Sequence, residues 1–192
     1  MTSTKMTFGF RPARIRGGSP NPQALGEYRI ANGLATNIFN GDPVKQIADG
    51  TIVVASVTTD HAIGVFQGCF YVDPNTKEPT FSRYFPTGVS SADGVVKALV
   101  ADDERQTFII GADASVSIGD LGLNFDVSNG GGSTLTGASA FVLKASTRKN
   151  GTGLVRVVGL YDTPDNAWSD AFTQVEVRFV QHVDARTSAA SA

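Results

Sequence analysis

With 192 residues, 41% of them hydrophobic and 18% charged, the chain is long enough for one generous domain or two small ones. The formal net charge of −2 argues against broad electrostatic attachment to nucleic acid or to an anionic membrane. A single cysteine, Cys69, excludes an intrachain disulfide and a cysteine-based metal site. No apolar run approaches the roughly 20 residues that span a bilayer, so we expect a protein made in a reducing cytoplasm with no membrane partner.

Residues 1–26 predict an extended N-terminal arm, because prolines and glycines interrupt any regular helix. The arm carries apolar anchors and a basic cluster: Phe8, Phe10, Arg11, Arg14 and Arg16. An extended segment with such anchors usually orders by lying on another surface, either its own domain or a neighbouring subunit. A free terminus fits the same residues.

Residues 27–110 predict a first β-barrel-like module of short antiparallel strands. Apolar and β-branched runs are separated by turn sequences such as NGDP at 40–43 and DG at 49–50. Gly64 and Gly68, inside an apolar run, predict a bend or a β-bulge. The predicted strands are 28–31, 37–39, 43–47, 51–57, 62–72, 79–85, 94–101 and 106–110.

Residues 111–184 predict a second β module, and residues 185–192 a disordered tail. In the last strand, 173–182, apolar and polar residues alternate, which indicates one packed face and one wet face. The other predicted strands are 121–127, 140–146 and 154–161, with short helices possible near 138–145 and 166–172. The fold class is therefore mainly β, made of small antiparallel barrel or sandwich modules with an extended N-terminal arm.

Residues that could perform catalysis or hold a metal are scattered. His61 and His182 have no motif around them, and we expect both at the surface or at strand ends. Cys69 lies among aromatic residues and is interpreted as a buried, inert thiol. Asp120 and Asp126 faintly resemble a calcium loop, but the bidentate glutamate of such a loop is absent. We therefore predict that the chain is not an enzyme and has no cofactor and no metal.

Two further motifs have simple structural explanations. The glycines at 130–132 are followed by no Lys-Ser/Thr pair and no helix, so a loop tip is favoured over a phosphate-binding loop. The three arginines of the arm are thin evidence for nucleic-acid binding, and they suit pairing with an acidic protein surface equally well.

Ordered motifs along most of the chain resemble the capsid decoration, or cement, proteins of tailed bacteriophages. They are FGFRPARI (8–15), GSPN (18–21), FNGDPV (39–44), IGVFQG (63–68), VADD (100–103), DLGLN (120–124), STLTGAS (133–139), VGL (158–160) and PDN (164–166), before a final strand that ends at His182. The resemblance implies a structural protein on the outer surface of the expanded head, assembled in the host cytoplasm. It implies the major capsid protein as partner and self-association as a homotrimer that bridges capsomers, with no direct contact to nucleic acid.

On this interpretation the arm contacts the shell or a sister subunit through Phe8, Phe10, Arg11, Arg14 and Arg16. A virion-surface protein that binds host carbohydrate is the main alternative, with Trp168 as a single aromatic platform. A small β-barrel hydrolase or lyase would need two carboxylates or a histidine to converge in a pocket. An unassigned cytosolic β domain is the fourth possibility.

Overall fold

The computed structural model describes residues 7–16, 25–55, 60–149, 151–180 and 182–183. In these ranges the chain forms thirteen strands and two 3₁₀ turns, and no α-helix. The strands are β1 (Arg11–Ile15), β2 (Gly26–Ile30), β3 (Pro43–Gln46), β4 (Ile52–Val54), β5 (Gly64–Val72), β6 (Pro79–Ser82), β7 (Val96–Ala101), β8 (Gln106–Gly111), β9 (Asn124–Phe125), β10 (Val127–Ser128), β11 (Val142–Leu143), β12 (Val155–Leu160) and β13 (Gln174–Phe179). The predicted mainly β fold class is confirmed. None of the described segments is a helix long and apolar enough to cross a membrane.

The strands of residues 26–101 form one antiparallel sheet, which we call sheet I. Its order is β2-β7-β5-β3-β4, and β6 pairs with the second half of β5. The register of β5 against β7 shifts between Phe66 and Gly68, which confirms the predicted bulge. The ring of Phe81 lies over Gly68, where a Cβ would come within 2.7 Å of it. The glycine therefore makes room for an aromatic ring on the outward face of the sheet.

The second large sheet, sheet II, has the order β1-β8-β13-β12-β9 and is also antiparallel. Val175, Val177 and Phe179 of β13 are buried in its core, as their alternation predicts. On the opposite face Arg178 is exposed, but Glu176 is only 6% exposed, so this face is not uniformly wet. The short pair β10-β11 accompanies sheet II.

Each sheet has its own cluster of buried apolar side chains. The cluster at sheet I is formed by residues between 30 and 100, including Phe66, Phe85 and the thiol of Cys69. The cluster at sheet II gathers residues from Phe10 to Phe179. Val54 packs against both clusters, which places the two cores side by side.

Neither large sheet closes on itself, so the architecture is compatible with a β-sandwich, and closed barrels are not observed in the described ranges. Sheet II combines β1 and β8 with strands from residues 124–179. The predicted module boundaries, 27–110 and 111–184, stay a prediction. The predicted tail, 185–192, lies outside the described residues.

Several local predictions are wrong. The segment 166–172 forms turns, because the side-chain amide of Asn166 bonds the backbone of Tyr161 and Gln174 at 2.6–2.8 Å and holds the chain in a loop. The segment 138–145 contains β11, which agrees with the predicted strand 140–146 and not with the alternative of a short helix. At 37–39 only Ile38 forms a bridge, to Phe85, in place of a strand.

Candidate protein-interaction surface

Strand β1 lies at the edge of sheet II and belongs to the predicted arm. Arg11 is paired with Ile109 and Ile15 with Gln106 on β8, with a register irregularity between them. The amide of Arg16 donates to the carbonyl of Arg105 at 3.1 Å, which extends the contact. In the sheet order of the described strands, β1 has a neighbour on one side only. The outer side of an edge strand is where a strand of another chain can pair.

The arm is seated on the chain's own core through Phe10. Its ring is 1% exposed and contacts Phe108 and Phe179, with ring centres 6.1 and 5.4 Å apart. Just before it, Gly9 has φ +67°, and a Cβ there would lie 2.5 Å from Ser139 Cβ, so the close passage requires glycine. The two predicted supports for the arm are its own domain and a neighbouring subunit. The described residues of the arm lie on its own domain. Contact of Phe10 with a partner stays a prediction.

Arg14 holds the arm by a bidentate ion pair. Its Nε and Nη2 donate to the two carboxylate oxygens of Glu176 at 2.7 and 2.6 Å. The hydroxyl oxygen of Thr107 lies 2.5 Å from Glu176 Oε1 and 2.8 Å from the carbonyl oxygen of Arg14. Burial alone raises the pKa of the Glu176 carboxyl, but the bonds from Arg14 and Thr107 outweigh it and hold the pKa below its usual value.

The remaining predicted residues of the arm face outward. The guanidinium carbon of Arg11 lies 5.2 Å from the centre of the Phe8 ring, which is within cation–π range. Arg11 and Arg16 are exposed, and Phe8 is partly exposed. The structure thus separates the five predicted residues into two internal anchors and three that can meet a partner.

Beside the arm lies a groove of about 330 Å³, which we call the arginine groove. Its lining residues are Phe8, Phe10, Arg11, Pro12, Asn40, Gln67, Arg83 and Ala138. The sequence prediction missed Asn40, Gln67 and Arg83. They lie 28 to 75 residues along the chain from the arm residues that line the groove, 8–12, so no local pattern signals that they meet it.

His182 and Cys69 are both buried side chains. His182 is 3% exposed and its Nε2 lies 2.9 Å from the carbonyl oxygen of Ile63, so the prediction of a surface or strand-end position is wrong. It is buried because residues 182–183 return to pair beside Ala62. Cys69 is buried as predicted, and burial raises the pKa of its thiol to about 12.

The acidic residues of the faint calcium motif are held by cations of the protein. Asp120 pairs with Arg148 at 2.6 Å, and Asp126 pairs with Lys149 at 2.6 Å. In the ranges that the structure describes, no group of three or more His, Cys, Asp or Glu side chains is placed to hold a metal ion. These carboxylates therefore stabilise loops around β9 and β10.

A second surface feature lies on the outward face of sheet I. Phe70 and Phe81 are 45% and 53% exposed, with ring centres 4.9 Å apart. A small groove of about 110 Å³ adjoins Phe70 and reaches Pro79 and Lys97. Trp168, the platform predicted from the sequence, is partly buried and packs against the core of sheet II, and its role as a platform stays a prediction.

An edge strand with outward guanidiniums can bind a protein surface by backbone pairing and by ion pairs. No family model, curated protein or solved structure matches the chain.

Proposed function

We propose that the chain is a structural protein that binds other protein chains through its arm. The carrying observation is the arm itself: Phe10 and Arg14 fix β1 at the edge of sheet II, and Arg11 and Arg16 are left facing outward. Together with the resemblance to phage decoration proteins, this supports the outer surface of a phage head as the location and the major capsid protein as the partner. The proposal includes self-association as a homotrimer that bridges neighbouring capsomers.

The chemistry of the arm suits this role. An edge strand can accept a strand of a neighbouring subunit, which gives affinity through main-chain hydrogen bonds. Guanidinium groups pair with surface carboxylates in bidentate geometry. Contacts of modest strength, repeated around a closed shell, reinforce one another through multivalency. Such a role requires no covalent bond to be broken or made.

Cosedimentation with empty, expanded heads that lack the protein tests the proposal, with the mass of the free protein measured in parallel by light scattering. We expect saturable binding, a trimeric mass and raised resistance of the heads to heat. The double variant Arg11→Glu, Arg16→Glu should bind less, because it reverses two outward charges without touching Phe10. Arg29→Glu, at an exposed position of β2 in sheet I, is the matched control. Wild-type protein that is monomeric and does not sediment with heads would sink the proposal.

The aromatic pair Phe70 and Phe81 supports a second candidate function, the binding of host carbohydrate. Exposed aromatic rings beside polar groups such as Lys97 can stack on sugar rings and orient their hydroxyls. A glycan array is expected to give binding that Phe81→Ser abolishes and that Leu135→Ser leaves intact, since Leu135 is also exposed but lies on the hairpin 132–139. An array without any signal for the wild-type protein removes this candidate.

A further inference from the structure

The walls of the arginine groove are fixed in place by the fold. The amide of Phe10 donates to the carbonyl of Gly41 at 2.9 Å, which fixes the arm against the turn at 40–41. Asn40 is bonded through its backbone to the hairpin 132–139 at 2.9 Å, and its side-chain amide donates to the carbonyl of Gln67 at 2.6 Å. Arm, turn, hairpin and β5 therefore meet at one place, and a ligand finds the groove already formed.

Among the described residues, no carboxylate is paired with the positive charge of the groove. Two of its lining side chains, Arg11 and Arg83, are guanidiniums, and none of the lining residues is acidic. In the part of the chain that the structure describes, the ion pairs involve neither of them. By contrast, Arg14 and Arg148 are paired with buried carboxylates. Arg14 and Arg148 thus have an anionic partner, which the described residues do not supply to the two arginines of the groove.

A third donor supports the same conclusion. The side-chain nitrogen Nε2 of Gln67 is buried and has no hydrogen-bond partner in the described structure. A buried donor without an acceptor costs stability, and Gln67 is one of the residues that line the groove. Phe8, stacked under Arg11, adds an apolar wall next to the charge.

We propose that the arginine groove binds a carboxylate side chain, Asp or Glu, carried by an extended segment of a protein partner. Two guanidiniums and an amide match the oxygens of a carboxylate, and Phe8 and Pro12 accept an apolar neighbour of that residue. A protein segment fits better than a nucleic acid, because the chain is acidic overall and phosphate backbones are held by larger basic surfaces. The inference rests on the proposed function only in that the partner is a protein, and it names the chemistry the partner must present.

NMR titration of the full-length, isotope-labelled protein tests this inference. The probes are a capped pentapeptide with a central aspartate between valines, the same peptide with asparagine, and inorganic phosphate. We expect the aspartate peptide to shift the Nε–H signals of Arg11 and Arg83 and the side-chain amide of Gln67 in a saturable way. The asparagine peptide should bind about tenfold more weakly or worse, since it lacks the charge-assisted bonds.

Variants locate the binding. Arg11→Gln and Arg83→Gln are each expected to weaken the aspartate peptide about tenfold, and Arg29→Gln, the matched control, to leave it unchanged. Both groove arginines are exposed, and an unchanged melting temperature verifies that each variant is folded. Equal affinity for the two peptides, absence of shifts, or tighter binding of phosphate than of the aspartate peptide would each overturn the inference.

Cosedimentation with heads separates this inference from the proposed function. If wild-type protein and Arg83→Gln bind heads equally and the aspartate peptide causes no shifts, the groove is not a contact and the inference fails while the proposed function stands. If the protein discriminates the two peptides through its arginines but does not bind heads, the groove site stands and the proposed partner is wrong.

Discussion

Two carboxylates of this protein are buried to a similar extent, and yet their pKa values are shifted in opposite directions. Glu176 on sheet II is 6% exposed, and Asp42, at the turn before β3 in sheet I, is 2% exposed. Arg14 and Thr107 lower the pKa of Glu176. For Asp42, burial raises the pKa to about 6, and bonds from the Phe39 amide and from Ser139 only limit the rise. The comparison shows that burial raises the pKa of a carboxyl unless a cation pairs with it, as Arg14 does with Glu176.

The two carboxylates therefore give the fold opposite pH dependences. The pKa of Glu176 is lower in the folded state, so its contribution to stability is present above the unfolded pKa of about 4.5 and is lost as the pH falls through the folded pKa. The pKa of Asp42 is higher in the folded state, so its contribution is present below about 3.8 and is lost as the pH rises to about 6. The arm contacts both places, through Arg14 at Glu176 and through Phe10 at the turn of Gly41 and Asp42.

The largest expected effect comes from Phe10→Ala, which removes the anchor that brings the arm to both carboxylates. We expect a loss of about 3–5 kcal/mol in the free energy of unfolding, because a ring that is 1% exposed leaves a cavity among Phe108 and Phe179. Urea denaturation at neutral pH measures it. Phe81→Ala is the matched control: its ring is 53% exposed, so we expect a loss below about 1 kcal/mol. Equal losses in the two variants would mean that Phe10 does not seat the arm.

Asp42→Asn is expected to flatten the dependence of stability on pH. The rise in pKa from 3.8 to about 6 corresponds to a loss of up to about 3 kcal/mol as the wild type is taken from pH 4 to above pH 6. Asparagine keeps an oxygen for the Phe39 amide but does not titrate. Unfolding curves from pH 3.5 to 7 give the slope. Asp49→Asn, with an exposed carboxylate whose pKa is lowered, should retain the wild-type slope above pH 4.

The sequence predicts the local features of these regions but not their pairing. Runs of apolar residues and alternation locate β5 and β13, and glycine identifies the bulge at Gly68, because each depends on neighbours in the chain. The burial of Glu176 depends on Arg14, which lies 162 residues away, so alternation alone assigns it to a wet face. The arginine groove likewise combines a residue that the sequence reveals with one that it does not. Arg11 is visible as part of a basic cluster, whereas Arg83 joins it only through the fold.

Arg14→Gln tests the ion pair that distinguishes Glu176 from Asp42. We expect a loss of about 1 kcal/mol at pH 7, a modest value because the side chain of Arg14 is 70% exposed and water screens the pair. The loss should shrink as the pH falls through the folded pKa of Glu176, which lies below 4.5, because the carboxylate becomes protonated there. Adding Glu176→Gln to this variant should recover part of the stability at pH 7, as it removes the unpaired charge. Arg11→Gln on the same strand is the control. An equal loss of stability in that variant would mean that the net charge of the chain, and not the ion pair with Glu176, causes the effect.

The smallest expected effect is that of Thr107→Val, and it separates the hydroxyl from the charge. Thr107 is fully buried on β8, between Arg14 of β1 and Glu176 of β13, and valine keeps its shape. Loss of one hydrogen bond should cost about 0.5–1 kcal/mol. It should also raise the pKa of Glu176, measured by NMR of its carboxyl carbon, but by less than Arg14→Gln does. If Thr107→Val raises the pKa as much as Arg14→Gln, hydrogen bonding and not the guanidinium sets Glu176 apart. Asp42, beside which the described residues place an amide and a hydroxyl but no cation, would then need a different explanation.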